Sequence, residues 1–232
     1  MSSIFNSDYI NKTYKDSNID YPLKMAKYFI DVYNIPIGSK ILDIGCGNGL
    51  FANAFTLLGM EVFGIDISES ALENLDNNRF IKYNLQHKNY PINSEFFDYV
   101  FSKSVVEHLI EPDVLIDESY RLLKPNGTFF CLTPSWKHTY KEAFYIDHTH
   151  VTPFTKYSLN TICELSGFEA KTTYFYQLPV FWRNPVFSIF RWLIARLPIS
   201  YSPFGRVFIN TKINKIVRFS KEAMLLTVAI KK

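Results

Sequence analysis

Cysteine is scarce in this chain. The three present, Cys46, Cys131 and Cys163, are scattered and odd in number. That excludes a disulfide framework or a cysteine-built zinc cluster and suits a reducing compartment. Also lacking is any run of about 18 uncharged apolar residues, the length a spanning helix needs. Met1–Asp20 is polar and mixed in charge, unlike a secretory signal. A cytoplasmic setting is expected. No internal repeat or low-complexity segment is found. What is plentiful is apolar: 47% of the 232 residues are hydrophobic. One sizeable domain, with or without an appendage, fits that length.

A second absence is local. Residues 178–220 contain no acid, against seven basic residues and nine aromatics. Over 178–232 ten Lys or Arg face a single acid, Glu222, while 1–177 holds fifteen basic and twenty-one acidic residues. A basic, aromatic segment thus follows an acidic body, and it needs its own explanation.

Apolar spacing predicts a helix over 22–34, with Leu23, Ala26, Phe29, Ile30 and Tyr33 on one side. Strands are expected at 40–44, 61–65, 80–84, 97–102, 128–133, 168–176 and 223–230. Helices are expected at 50–58, from an N-cap at Ser68 to about 77, around 105–110, at 112–123 and at 156–166. The stretch 178–220 reads as irregular, apart from a helix over 186–197. Strands alternating with helices predict a three-layer α/β sandwich.

Between the first strand and its helix stands Asp43-Ile44-Gly45-Cys46-Gly47-Asn48-Gly49-Leu50. Glycines let the chain turn sharply and let a ligand approach the main chain, and the next helix offers unpaired N–H groups. The nicotinamide pattern requires a third glycine where Leu50 stands, so a dinucleotide oxidoreductase is disfavoured. Asp66 ends the next strand about twenty residues on, placed to accept from both hydroxyls of a ribose.

Together these motifs resemble the first two of the class I S-adenosylmethionine-dependent methyltransferases, and the resemblance extends over most of 38–175. It implies a seven-stranded, mostly parallel sheet with the last strand antiparallel and 178–220 inserted before that strand. It also implies a domain made of 38–177 and 221–232, behind an N-terminal helical cap, 1–37. The cofactor residues it implies are Asp43, Gly45, Cys46, Gly47, Asp66, Ile67, Asn84, Leu85 and Ser102. Tyr9, Tyr14 or Lys15 would reach the methionine end.

Methyl transfer asks the protein for alignment and, at oxygen or nitrogen, for a base. Four of the five histidines fall within 108–150. The loop Asp147-His148-Thr149-His150 resembles that of methyltransferases among glycan-assembly enzymes, implying O-methylation of a small-molecule or glycan acceptor in cell-surface polysaccharide biosynthesis. A lipid-like or quinone-type acceptor is the alternative. His150 is the first choice of base, with Asp147 orienting it and His108 beside it; a purely structural capping network is the competing reading. Glu107, His108, His148 and His150 would suit a divalent metal. RNA-end methyltransferases that use such a site carry a further acid where this chain has Ser104, so no metal is expected.

On a helix, Val186, Phe187, Ile189, Phe190, Leu193, Ile194 and Leu197 fill one arc, with Arg191 and Arg196 at its margins. Such a helix serves as a lid packed on the body, as a contact with a membrane surface, or as a protein-binding surface. The charges lie among bulky aliphatics without an RNA-binding signature, so nucleic acid is not expected. A non-catalytic scaffold that keeps the fold is the rival from another class.

Overall fold

The apolar run Lys40–Ile44 forms β1 at the middle of a seven-stranded sheet of order β3-β2-β1-β4-β5-β7-β6. The other strands are β2 (Glu61–Asp66), β3 (Phe80–Lys82), β4 (Phe97–Lys103), β5 (Leu123–Pro134), β6 (Phe168–Phe175) and β7 (Met224–Lys231). The chain is seen as a computed structural model that describes residues 18–141, 143–183, 185–199 and 211–232. Tyr9, Tyr14 and Lys15 lie outside the described residues. Strands β1 to β5 pair in parallel, whereas β7 runs antiparallel to both neighbours, from Thr128↔Ile230 on β5 and Phe168↔Lys231 on β6. This is the three-layer α/β methyltransferase-like sheet expected above.

Strand alternation feeds two cores, one on each face. Leu42, Ile44, Val100, Phe129 and Cys131 meet α3 (Pro112–Leu122) and α5 (Lys156–Leu165). Ile41, Phe101, Phe130 and Leu132 meet α1 (Asp20–Tyr33) and α2 (Leu50–Leu57). Phe29 of α1 is fully buried, with ring contacts to Phe101 at 5.6 Å and Phe130 at 5.0 Å. Burying such a ring contributes about 3 kcal/mol. Thr155 caps α5 reciprocally with Ser158. A short α4 (Trp136–Thr139) follows β5, and 3-10 turns span 69–73, 77–79 and 106–108.

The helix expected after Ser68 is only a 3-10 segment, Glu69–Glu73, although Ser68 does cap it through the Ser70 N–H. Asn74 sends its amide to the Asn48 carbonyl at 2.8 Å, and a run rich in Asn and Asp favours such local bonds over further helix. Near 105–110 only Val106–His108 winds, after Ser104 adopts φ +59°. Among the described residues between β6 and β7 the chain is largely helical rather than irregular: α6 (Val180–Arg183), α7 (Pro185–Arg196) and α8 (Thr211–Lys221).

Candidate cofactor and acceptor site

At the C-terminal end of β1, a cavity of about 360 Å³ is lined by Asp43, Gly45, Cys46, Gly47, Asn48, Leu50 and Phe51, and by Phe101 and Lys103 of β4. Asn18, Tyr21 and Pro22 close it from the N-terminal side and Lys215 from α8. That size suits a small ligand. Gly45 has φ +74°, and a Cβ there would collide with the Val105 side chain. Gly47 has φ +57°, but its Cβ position is open. Packing therefore fixes the first glycine, while the second leaves main chain bare toward the cavity.

Asp43 is nearly fully buried, and its Oδ2 has no hydrogen-bond partner among the described residues. Burial lifts its carboxyl to about 7, with Asp66 adding to the rise and Lys103 opposing it. A buried unsatisfied carboxylate is costly, and a cationic ligand in the cavity would relieve it. The cavity wall thus fits the ammonium group of a methionine end. Asp66 accepts from the N–H of Gly47 and of Ser68, each at 2.9 Å, so it ties the glycine loop to β2.

Asp66 and the remaining expected cofactor residues do not line this cavity themselves. Ile67 is half-buried beside Asp66. Asn84 spends its carbonyl on the Gln86 N–H and sets its amide 3.2 Å from His87 Nε2. Leu85 packs into the core, and its carbonyl accepts from the Tyr90 hydroxyl. Ser102 is sealed within the sheet, with its Oγ unpartnered among the described residues.

Lys103 was missed in the sequence, although it follows Phe101 by two residues and so shares its face of β4. Burial lowers its pKa, against the pull of Glu107 and Asp43. It therefore lies in the field of the cavity acid on one side and of the histidine group on the other.

That group is assembled by stitching 147–152 onto the 106–108 turn. Val151 and Thr152 N–H donate to the Glu107 carbonyl, and Thr152 Oγ1 to the Leu109 carbonyl. The rings of His108 and His150 stand 4.6 Å apart. His150 Nδ1 donates to the Phe144 carbonyl at 2.6 Å, which leaves Nε2 as the acceptor nitrogen. Asp147 does not orient His150 by its side chain, as expected above. Its Oδ1 accepts from the Thr149 hydroxyl, whose oxygen accepts from His108 Nδ1 at 2.9 Å. The reason is loop geometry: Asp147 turns onto its own Thr149 N–H, and a main-chain carbonyl reaches His150 first.

Glu107 is fully buried; its Oε2 accepts from Thr133 Oγ1 at 2.8 Å and its Oε1 has no partner among the described residues. Burial raises it to about 7 and lowers His108 to about 4, and it lowers His150 as well. Both rings are therefore neutral at neutral pH. Ligand atoms of Glu107, His108 and His150 fall within 4.8 Å of one another. That donor set is chemically able to bind a divalent cation or to pass a proton. His148 is exposed and outside it.

The family model described as a methyltransferase domain matches residues 17–173. A ubiquinone biosynthesis O-methyltransferase of Pelagibacter ubique (strain HTCC1062) is 35% identical over 129 residues, covering 53% of this chain and 48% of the relative. Another of that name, from Haemophilus ducreyi, is 31% identical over 134 residues, covering 53% and 56%. The chain spans about half the length of the curated relatives it matches. A S-adenosylmethionine-dependent methyltransferase of Archaeoglobus fulgidus shares the fold at a TM-score of 0.61 and 19% identity, over 96% of this chain and 97% of that one. A match across most of the sheet that carries the glycine loop means that the chain belongs to the methyltransferase-domain family, as a class I, S-adenosylmethionine-dependent methyltransferase domain.

Proposed function

We propose that this domain methylates an oxygen of a small-molecule acceptor, and that a ring hydroxyl of a quinone-type precursor is the first acceptor to test. The cofactor half of the reading rests on one observation, the buried Asp43 oxygen without a partner in the wall of the glycine-loop cavity. Asp43 would take the ammonium group, the bared main chain at Gly47 would lie along the methionine end, and Asp66 would accept from the ribose. Asn84 and Leu85 would flank the adenine, as the resemblance implies, whereas Ile67 and the sealed Ser102 do not line the cavity. When bound, the cofactor supplies a methyl group on a sulfonium, already a strong electrophile.

The protein then has to align the acceptor and take its proton. His150 suits that task, because the Phe144 carbonyl fixes its tautomer and burial keeps it neutral. His108, held by Thr149 and Asp147, stands beside it, and a Glu107 oxygen lies within 4.8 Å of a nitrogen of each ring. The acceptor class is supported by the relatives' names alone. The polysaccharide acceptor expected from the 147–154 loop finds no support among them.

Homocysteine release measured across small phenols, quinone precursors and sugar nucleotides tests the proposal. Turnover with a ring hydroxyl is expected. Turnover with sugar nucleotides alone would overturn the acceptor, and failure of S-adenosylhomocysteine to bind in calorimetry would overturn the cofactor site.

A further inference from the structure

A lid would bury the apolar arc of α7 against the body. The arc is turned outward instead: Ile189 is 61% exposed, Phe190 54% and Val186 53%, and Leu193 and Leu197 are nearly half exposed. On α8, Ile213 and Ile216 are exposed as well. The hairpin is nevertheless firmly seated. Val217 and Ser220 of α8 are buried, and Arg218 pairs with Glu222 at 2.9 Å. Lys221 Nζ donates to the Leu197 and Ile199 carbonyls at 2.9 and 2.8 Å, fastening the end of α7 to α8. The Arg191 guanidinium lies 3.6 Å over the Tyr176 ring. A contiguous apolar surface on a seated element marks an interaction site.

We propose that the α7–α8 hairpin docks this protein on an anionic lipid surface. The charge decides among occupants. The whole of 178–220 has seven basic residues and no acid. A second copy docked by the same face would oppose two such sets of like charge, whereas anionic headgroups attract them. Phe187, Phe190 and Trp192 supply the aromatic share that interfacial helices carry, and the Arg196 guanidinium lies 3.4 Å over the Trp192 ring. Among the described residues no helix is long and apolar enough to cross a membrane, so the hairpin would lie in the plane of the surface. Lys215 of α8 also lines the cofactor cavity, so docking would set that cavity beside the bilayer. The inference does not depend on the acceptor.

Co-sedimentation of the full chain with phosphatidylglycerol-containing vesicles and with pure phosphatidylcholine vesicles tests it, alongside the double variant I189E/L193E. At low salt, binding to the anionic vesicles is expected, weaker by ~10-fold on phosphatidylcholine and by ~10-fold or more for the variant. The variant's affinity for S-adenosylhomocysteine should match the wild type's, which shows that the body is intact. Equal sedimentation of variant and wild type would overturn the proposal, and so would a wild type left in the supernatant. A wild-type dimer that ignores vesicles and is split by I189E/L193E would assign the face to a second copy and also overturn it.

Discussion

Gly47 donates its main-chain N–H to the Asp66 carboxylate at 2.9 Å, across nineteen residues of sequence. The bond joins the loop that would cradle the methionine end to the acid that would hold the ribose. Asp66→Ala is therefore expected to act twice, losing the ribose acceptor and freeing the loop. Charge-assisted hydrogen bonds of this kind are worth about 1.5–3 kcal/mol each, so a fall of ~100-fold or more in S-adenosylhomocysteine affinity is expected. Calorimetry measures it, and an affinity within ~3-fold of wild type would remove Asp66 from the site.

Asp43 predicts a pH dependence. Burial holds its carboxyl at about 7 in the free protein, and a cationic ligand lowers that value by favouring the charged form. Binding then releases a proton near neutrality, and affinity falls as the pH drops below ~7. Calorimetry in buffers of different ionisation enthalpy should show this release, and Asp43→Asn should abolish both the release and the slope.

Glu107 and His150 should separate by readout. His150→Ala is expected to lower kcat by ~100-fold or more, with cofactor affinity unchanged. Glu107 is raised to about 7 by burial, so in the wild type it opposes folding once charged. That penalty is absent below the ordinary carboxylate pKa and grows as pH rises through ~7. Glu107→Gln should therefore raise Tm above pH ~8 and leave it little changed below pH ~4. Turnover is expected to survive chelation and dialysis; loss restored by a divalent cation would give Glu107, His108 and His150 a metal to hold.

Alanine at the two loop glycines should fail for different reasons. Gly45→Ala meets Val105 and a left-handed backbone, so loss of stability by several kcal/mol is expected. Gly47→Ala meets open space and only the backbone penalty of about 1–2 kcal/mol. A folded Gly47→Ala protein that binds S-adenosylhomocysteine poorly is the expected result, read by thermal denaturation and calorimetry together.

The loop at 43–49 and Asp66 were legible in sequence because their roles demand particular residue types at the ends of strands. The sheet was legible for a similar reason, since central parallel strands must be apolar on both faces. Other features leave no letter. The group that orients His150 is the carbonyl of Phe144, which any residue at that position would supply. Asp147, the expected partner, was a sound choice by type and an incorrect one by geometry. Lys103 was within reach, because the period of two from Phe101 puts it on the cavity face. Helix α8 was readable too: Ile213, Ile216, Val217 and Ser220 fall at helical spacing, but surrounding lysines and asparagine masked the pattern.

The position of β7 carries a consequence for synthesis. It lies between β5 and β6, so β6 has no neighbour in the sheet until residues 224–231 have been made. A nascent chain can complete β1 to β5 while α7 and α8 are still emerging. During that interval β6 and α5 wait without the strand that joins them to β5. The final strand is then a latch, and truncation before Met224 should unfasten β6 together with the hairpin rather than trim one strand.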